Sequence, residues 1–172
     1  MKKFGFSLER LRLVILLYIQ NRSMKYAKGV IFLTNYSAQL IQESVGKLKN
    51  STNIPHGIDP VFSQLPNPRV WPKDNTESIQ CIYVSDAAIY KNQWVVIRAI
   101  KKLRNRGYNL KLDLVGETTG SGQRYLHKEI NYSDPNGLFA KIFGFVSHND
   151  LPNLYVTSDI VIFASSCESM PI

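Results

Sequence analysis

Glu168 lies in FASSCESMPI (163–172), among Ser165, Ser166, Cys167 and Ser169, directly after the apolar run DIVIF. A carboxylate placed there can accept hydrogen bonds from sugar or ribose hydroxyls, or act as base or nucleophile. It can equally be an ordinary loop acid. Ser165 lacks the GxSxG surroundings of a hydrolase elbow. A second candidate is the glycine run GETTGSG (116–122), whose spacing is neither GxGxxG nor GxxxxGK[ST]. Its glycines can let backbone approach a phosphate, or simply supply positive φ in a turn. Lys91, in SDAAIYKNQ, can reach an anionic ligand or lie solvated in a first helical turn. His56, His127 and His148 are far apart, show no ligand spacing, and read as surface or linker histidines. Cys81 and Cys167 form no CxxC, so neither a zinc site nor a disulfide framework is suggested, and a reducing cytosol fits.

These candidates need elements to position them. Ser7 can cap a helix over 7–24, where Leu8, Leu11, Val14, Ile15, Tyr18 and Ile19 recur at three- and four-residue steps. GVIFL (29–33) reads as a strand, with Thr34 and Asn35 as caps for a helix over 36–48. Pro55, Pro60, Pro66, Pro68 and Pro72 then break any period, and residues 51–78 are expected to be a linker. Strands follow at 79–84, 110–115, 141–145 and 159–163, with helices at 92–106, near 122–131 and at 148–158. Apolar strands alternating with helices imply βαβ units and a parallel sheet covered on both faces, whose ligands bind at the carboxyl ends of the strands. Lys91, the glycine run and Glu168 fall on those loops.

Apolar residues at 44% and charged residues at 20% exclude disordered and collagen-like classes. The net charge of +8 is concentrated in residues 1–28, where Lys2, Lys3, Arg10, Arg12, Arg22, Lys25 and Lys28 face Glu9 alone. Such a segment can meet an anionic membrane, or be a solvated helix face. Glu9, Arg10 and Arg12 interrupt any signal-peptide pattern, and the apolar run Leu13–Ile19 falls well short of the ~20 residues of a span. Without interleaved aromatic platforms, nucleic acid is not expected as a partner.

Taken in order, AKGVIFLTNYSAQLI (27–41), IPHGIDPVF (54–62), YVSDAAIYKNQWVVIRAI (83–100), LDLVG (112–116), IFGFV (142–146) and LPNLYVTSDIVIFASSCESMP (151–171) resemble the family-4 retaining glycosyltransferases of the GT-B fold. The resemblance covers nearly the whole chain. It implies an α/β, Rossmann-like donor domain at 79–172, incomplete, preceded by a linker at 51–78 and by the end of an acceptor-side domain at 1–50. It further implies that Lys91 contacts the donor diphosphate, that Phe145 and Val146 meet the base, and that Gly116 belongs to the donor-binding edge. Glu168 corresponds to the first acid of a Glu-x7-Glu pair near the donor sugar and is the catalytic candidate. By the same resemblance Ser169, Met170 and Pro171 match the family loop whose amides face sugar and phosphate. No metal and no cofactor is implied beyond the nucleoside-diphosphate sugar itself. The acceptor is expected to be a glycan or glycolipid of cell-surface polysaccharide synthesis.

The chain departs from that pattern in three places. Ser85-Asp86 stands where an arginine is common, Ser-Met-Pro follows Glu168 in place of a glycine-rich run, and the second acid would lie beyond Ile172. No histidine matches the acceptor-side catalytic one. The expectation is therefore a piece of a longer cytoplasmic enzyme that touches the inner membrane face, weakly active alone. The rival readings are a non-catalytic nucleotide-sugar-binding module and a GT-B-type epimerase.

Overall fold

A computed structural model describes residues 8–63, 70–72, 74 and 76–166. Glu168, Ser169, Met170 and Pro171 lie outside the described residues. The elements are α1 (Leu8–Tyr26), β1 (Val30–Phe32), α2 (Asn35–Val45), β2 (Ser51–Asn53), α3 (Pro60–Ser63), β3 (Ile79–Val84), a 3-10 turn at Ile89–Lys91, α4 (Gln93–Arg104), β4 (Leu110–Val115), α5 (Gln123–Ser133), β5 (Ala140–Gly144), α6 (Leu151–Val156) and β6 (Ile160–Val161). They fall into two compact units that divide after Gly57.

In the first unit, Thr34 caps α2. Its hydroxyl accepts from Ser37 N at 3.0 Å, while Ser37 Oγ accepts from Thr34 N at 3.3 Å. This reciprocal box satisfies amides that a helix start leaves unpaired. α2 ends at Gly46, whose φ of +88° an L-residue adopts poorly. The stretch expected to be aperiodic linker begins instead with a strand: β2 pairs in parallel with β1, from Val30 opposite Ser51 to Phe32 opposite Asn53. Its sequence, STN, carries no apolar alternation. The backbone explains it, since Val30 N donates to Asn50 O and Ile54 N to Phe32 O, pairing groups that β1 would otherwise leave open. The apolar positions of α1 are not buried: Leu8 is 87% exposed and Val14 64%.

The second unit is built on a four-stranded, all-parallel sheet in the order β5-β4-β3-β6. β3 and β4 run in register from Ile79 opposite Leu110 to Val84 opposite Val115. Pleating sends alternate side chains to one face. There Cys81, Tyr83, Leu112 and Leu114 pack with Val96, Ile97 and Ile100 of α4 and Leu126 of α5. Burial pushes the Cys81 thiol up to about 11, so it behaves as a small apolar core group. α4 and α5 are tied by Arg98 Nη2 to Glu129 Oε2 at 2.5 Å, and Ser133 Oγ donates to Glu129 Oε1 at 2.8 Å. The Arg98 hydrogen bond holds the Glu129 carboxyl below the ordinary glutamate range. α6 and β6 are shorter than the expected 148–158 and 159–163. Ser147 Oγ is bonded to Asp150 and Thr157 Oγ1 to Asn153 O and Leu154 O, side-chain bonds that compete with continued helix at both ends.

Candidate functional site

Parallel strands put every strand's carboxyl end on one edge, and the loops there are joined by main-chain bonds. Gly116 N donates to Gly144 O at 2.8 Å, linking the ends of β4 and β5. Ser85 N donates to Val115 O at 2.8 Å and Ala87 N to Glu117 O at 2.9 Å, linking β3 to β4. Gly122 N then donates to Ala87 O at 2.7 Å, closing the glycine-rich turn onto residues 85–88.

That closure explains the glycines locally. A Cβ on Gly116 would overlap the Ser85 carbonyl, and Gly116 sits at φ +129°. Cβ atoms on Gly120 and Gly122 would come within 2.9 and 2.7 Å of Ala87 O. Two backbones meet here, so the run has a packing reason of its own. Gly116 remains at the carboxyl end of β4, beside the other candidates.

Lys91 ends the 3-10 turn after β3, half-buried, with Nζ 5.2 Å from the Tyr90 ring centre and 6.0 Å from that of Phe163. Both distances suit cation–π attraction. Asp86, where an arginine was the common residue, is exposed. The backbone at Ser85 is held by Gln93, only 3% exposed, whose Nε2 donates to Ser85 O at 2.9 Å. Gln93 Oε1 has no partner among the described residues. Phe145 follows β5 directly and is 75% exposed, with Val146 half-buried beside it. β6 runs into Ala164, Ser165 and Ser166, and Ser166 N donates to Tyr90 O at 2.8 Å. Phe145–Val146, Gly116, Lys91 and residues 164–166 thus lie on one edge in the order of the strands.

Reasoning from residue types missed Tyr83, Asn92 and Gln93. Tyr83 is fully buried, and its hydroxyl donates to Lys91 O at 2.5 Å. Its place on an apolar strand made it look like plain core. The KNQ triplet held a usable signal, because Asn is among the few L-residues at ease with positive φ. His148 does not join the site. His148 Nε2 is 3.3 Å from Asp59 Oδ2 and its ring meets Phe62 edge-on at 5.0 Å, in a surface cluster after the start of the second unit.

Residues 68–172, well over half the chain, match the sequence profile of the glycosyl transferases group 1. The chain belongs to that family. Solved structures agree on the fold of this group 1 chain. HepE of Anabaena, crystallised with UDP and glucose, superposes with a TM-score of 0.67 at 21% identity, over 94% of this chain and 43% of its own. A sucrose-phosphate synthase of Thermosynechococcus elongatus gives 0.77 at 17%, over 98% and 42%. A glycosyltransferase of Rickettsia africae gives 0.65 at 19%, over 94% and 43%. The group 1 chain thus spans less than half the length of these neighbours. No curated protein sequence matches it. Among the described residues no helix is long and apolar enough to cross a membrane.

Proposed function

We propose that this chain is the donor-binding part of a retaining glycosyltransferase that moves a sugar from a nucleoside diphosphate to a glycan or glycolipid acceptor, without a metal ion, in cell-surface polysaccharide synthesis. The observation that carries the reading is the succession of Phe145–Val146, Gly116, Lys91 and residues 164–166 along one carboxyl edge. Three strand spacings of about 4.8 Å make that edge roughly 14 Å wide, room for base, diphosphate and sugar in turn. Backbone at Phe145 and Val146 meets the base, and the Lys91 ammonium offsets charge on the diphosphate. The loop of Ser169, Met170 and Pro171 is assigned to the sugar and phosphate, and Glu168 to the sugar hydroxyls. A fixed cation and oriented amides would stabilise the leaving diphosphate as it separates. The UDP-glucose complex of HepE supports a nucleotide-sugar donor for this fold. On this reading residues 79–172 serve the donor, 51–78 connect, and 1–50 belong to the acceptor side.

Calorimetry with UDP- and GDP-sugars tests the reading. One of them should bind, and Lys91→Ala should weaken it about thirtyfold, the ~2 kcal/mol of one charge-assisted contact. Binding of neither overturns the proposal. Exposed Asp86 favours a second reading, a binding module without catalysis. Donor binding with no transfer by the full-length protein would select it.

The reading includes a cytoplasmic location against the inner membrane. α1 exposes Leu13, Val14 and Leu17 alongside Arg10, Arg12 and Arg22, a combination suited to an anionic lipid surface. Sedimentation with phosphatidylglycerol vesicles should carry the chain down and phosphatidylcholine vesicles should not; equal behaviour with both rejects that contact.

A further inference from the structure

We propose that Asn92 is a positioning residue: it anchors the Lys91 loop to the loop after β6 and so fixes the Lys91 ammonium for an anionic ligand. The proposal rests on the donor-binding reading above. Asn92 adopts φ +57° and is the one non-glycine residue with positive φ among the described residues. It stands at the N-cap of α4, where an asparagine side chain ordinarily accepts from the helix's first amides, yet it makes no such cap bond. Its Nδ2 instead reaches across the edge to Ala164 O at 2.9 Å, and to Tyr90 O at 3.2 Å.

The contacts around it converge on the same two loops. Ser166 donates to Tyr90 O through its backbone N at 2.8 Å and through Oγ at 3.2 Å. From the core side, Tyr83 OH takes Lys91 O at 2.5 Å and lies 3.4 Å from Ser165 Oγ. The carbonyls of both Tyr90 and Lys91 are therefore committed before any ligand arrives. A glycine at 92 would accept the backbone conformation without strain, but it could not hold Ala164. Asparagine supplies both the left-handed turn and the cross-link. The segment so held continues, two residues on, to Glu168. Preorganising a cation in this way lowers the ordering cost of binding.

The test compares Asn92→Gly, which keeps the backbone and removes the link, with Asn92→Asp, which keeps the turn but sets a carboxylate against the Ala164 carbonyl. The full-length protein is titrated with UDP or GDP, whichever it takes. Both variants should bind about tenfold more weakly, and Lys91→Ala should cost about thirtyfold in the parent but only about threefold beside Asn92→Gly. Exchange of the Ser166 amide should quicken about tenfold in Asn92→Gly while β3 and β4 amides stay protected. Unchanged affinity in Asn92→Gly, additive losses with Lys91→Ala, or an unaltered Ser166 amide each overturn the proposal. A parent that binds neither nucleotide overturns the donor reading itself, and the positioning role with it.

Discussion

The two ends of the same four-stranded sheet are closed by different means. At the amino end, charged side chains bond the chain's own backbone. Asp134 accepts from Leu138 N, Phe139 N and Ala140 N at 2.6, 2.9 and 2.7 Å, Lys101 Nζ donates to Ser133 O at 2.6 Å, and Arg104 Nη1 donates to Leu110 O at 2.5 Å. A cleft of about 330 Å³ opens there, but its lining residues Lys101, Arg104 and Asp134 are the ones already engaged. At the carboxyl end, main chain bonds to main chain across Gly116, Ala87 and Gly122, and the side chains that join in among the described residues, Tyr83, Asn92, Gln93 and Ser166 among them, are uncharged. Side-chain closure spends charge on the fold. Closure at the carboxyl edge uses uncharged groups.

The contrast can be broken by substitution. Asp134→Ala should have the largest effect, about 3 kcal/mol, because three amides lose their acceptor inside the structure. Chemical denaturation should show that loss while nucleotide affinity stays at the parent value; a fall in affinity would mean that the two ends are not separable. Gly116→Ala should cost somewhat less, about 2–3 kcal/mol, from the methyl's overlap with Ser85 and the positive φ. Unlike Asp134→Ala it should also weaken the donor, since it displaces the edge. Equal stability and affinity in Gly116→Ala would show that the glycine is not required by packing.

The smallest effect is acid sensitivity. Burial of Asp134 works against ionisation, yet its three backbone donors hold the carboxyl below the usual 3.8, and Arg98 holds Glu129 below 4.5. Depressed values in the folded state give stability that is complete above the unfolded-state values and is lost as pH falls through the folded ones. Melting temperature should therefore be flat above about pH 5 and decline below it, with Glu129→Gln showing a shallower decline. An equally steep decline in Glu129→Gln would remove that carboxylate from the account.

What the sequence disclosed follows from where the information resides. IQCIYV is largely apolar, LKLDLV places buried apolar residues at alternate positions, and both appear at the boundaries that pattern alone assigns. Thr34 is legible as a cap because its hydroxyl has a local task. Lys91, Gly116, Phe145 and Val146 are legible as one edge because parallel topology puts all strand ends together. Ser51–Asn53 are not, since their strand is made by the hydrogen-bonding needs of β1 and not by their own side chains. Nor is the glycine run's packing role, because it depends on residues 85–88, which lie some thirty positions earlier. Asn92's reach to Ala164 is hidden for the same reason.

The central claim is that the carboxyl edge, and not the cleft at the amino end, receives a nucleoside-diphosphate sugar. Backbone amide shifts followed during titration with UDP- and GDP-sugars test it most directly. The account predicts that the amides of residues 85–91, 116, 144–146 and 164–166 move together and saturate, while those of 134–140 stay in place. Shifts confined to 134–140, or none anywhere at saturating donor, would contradict it.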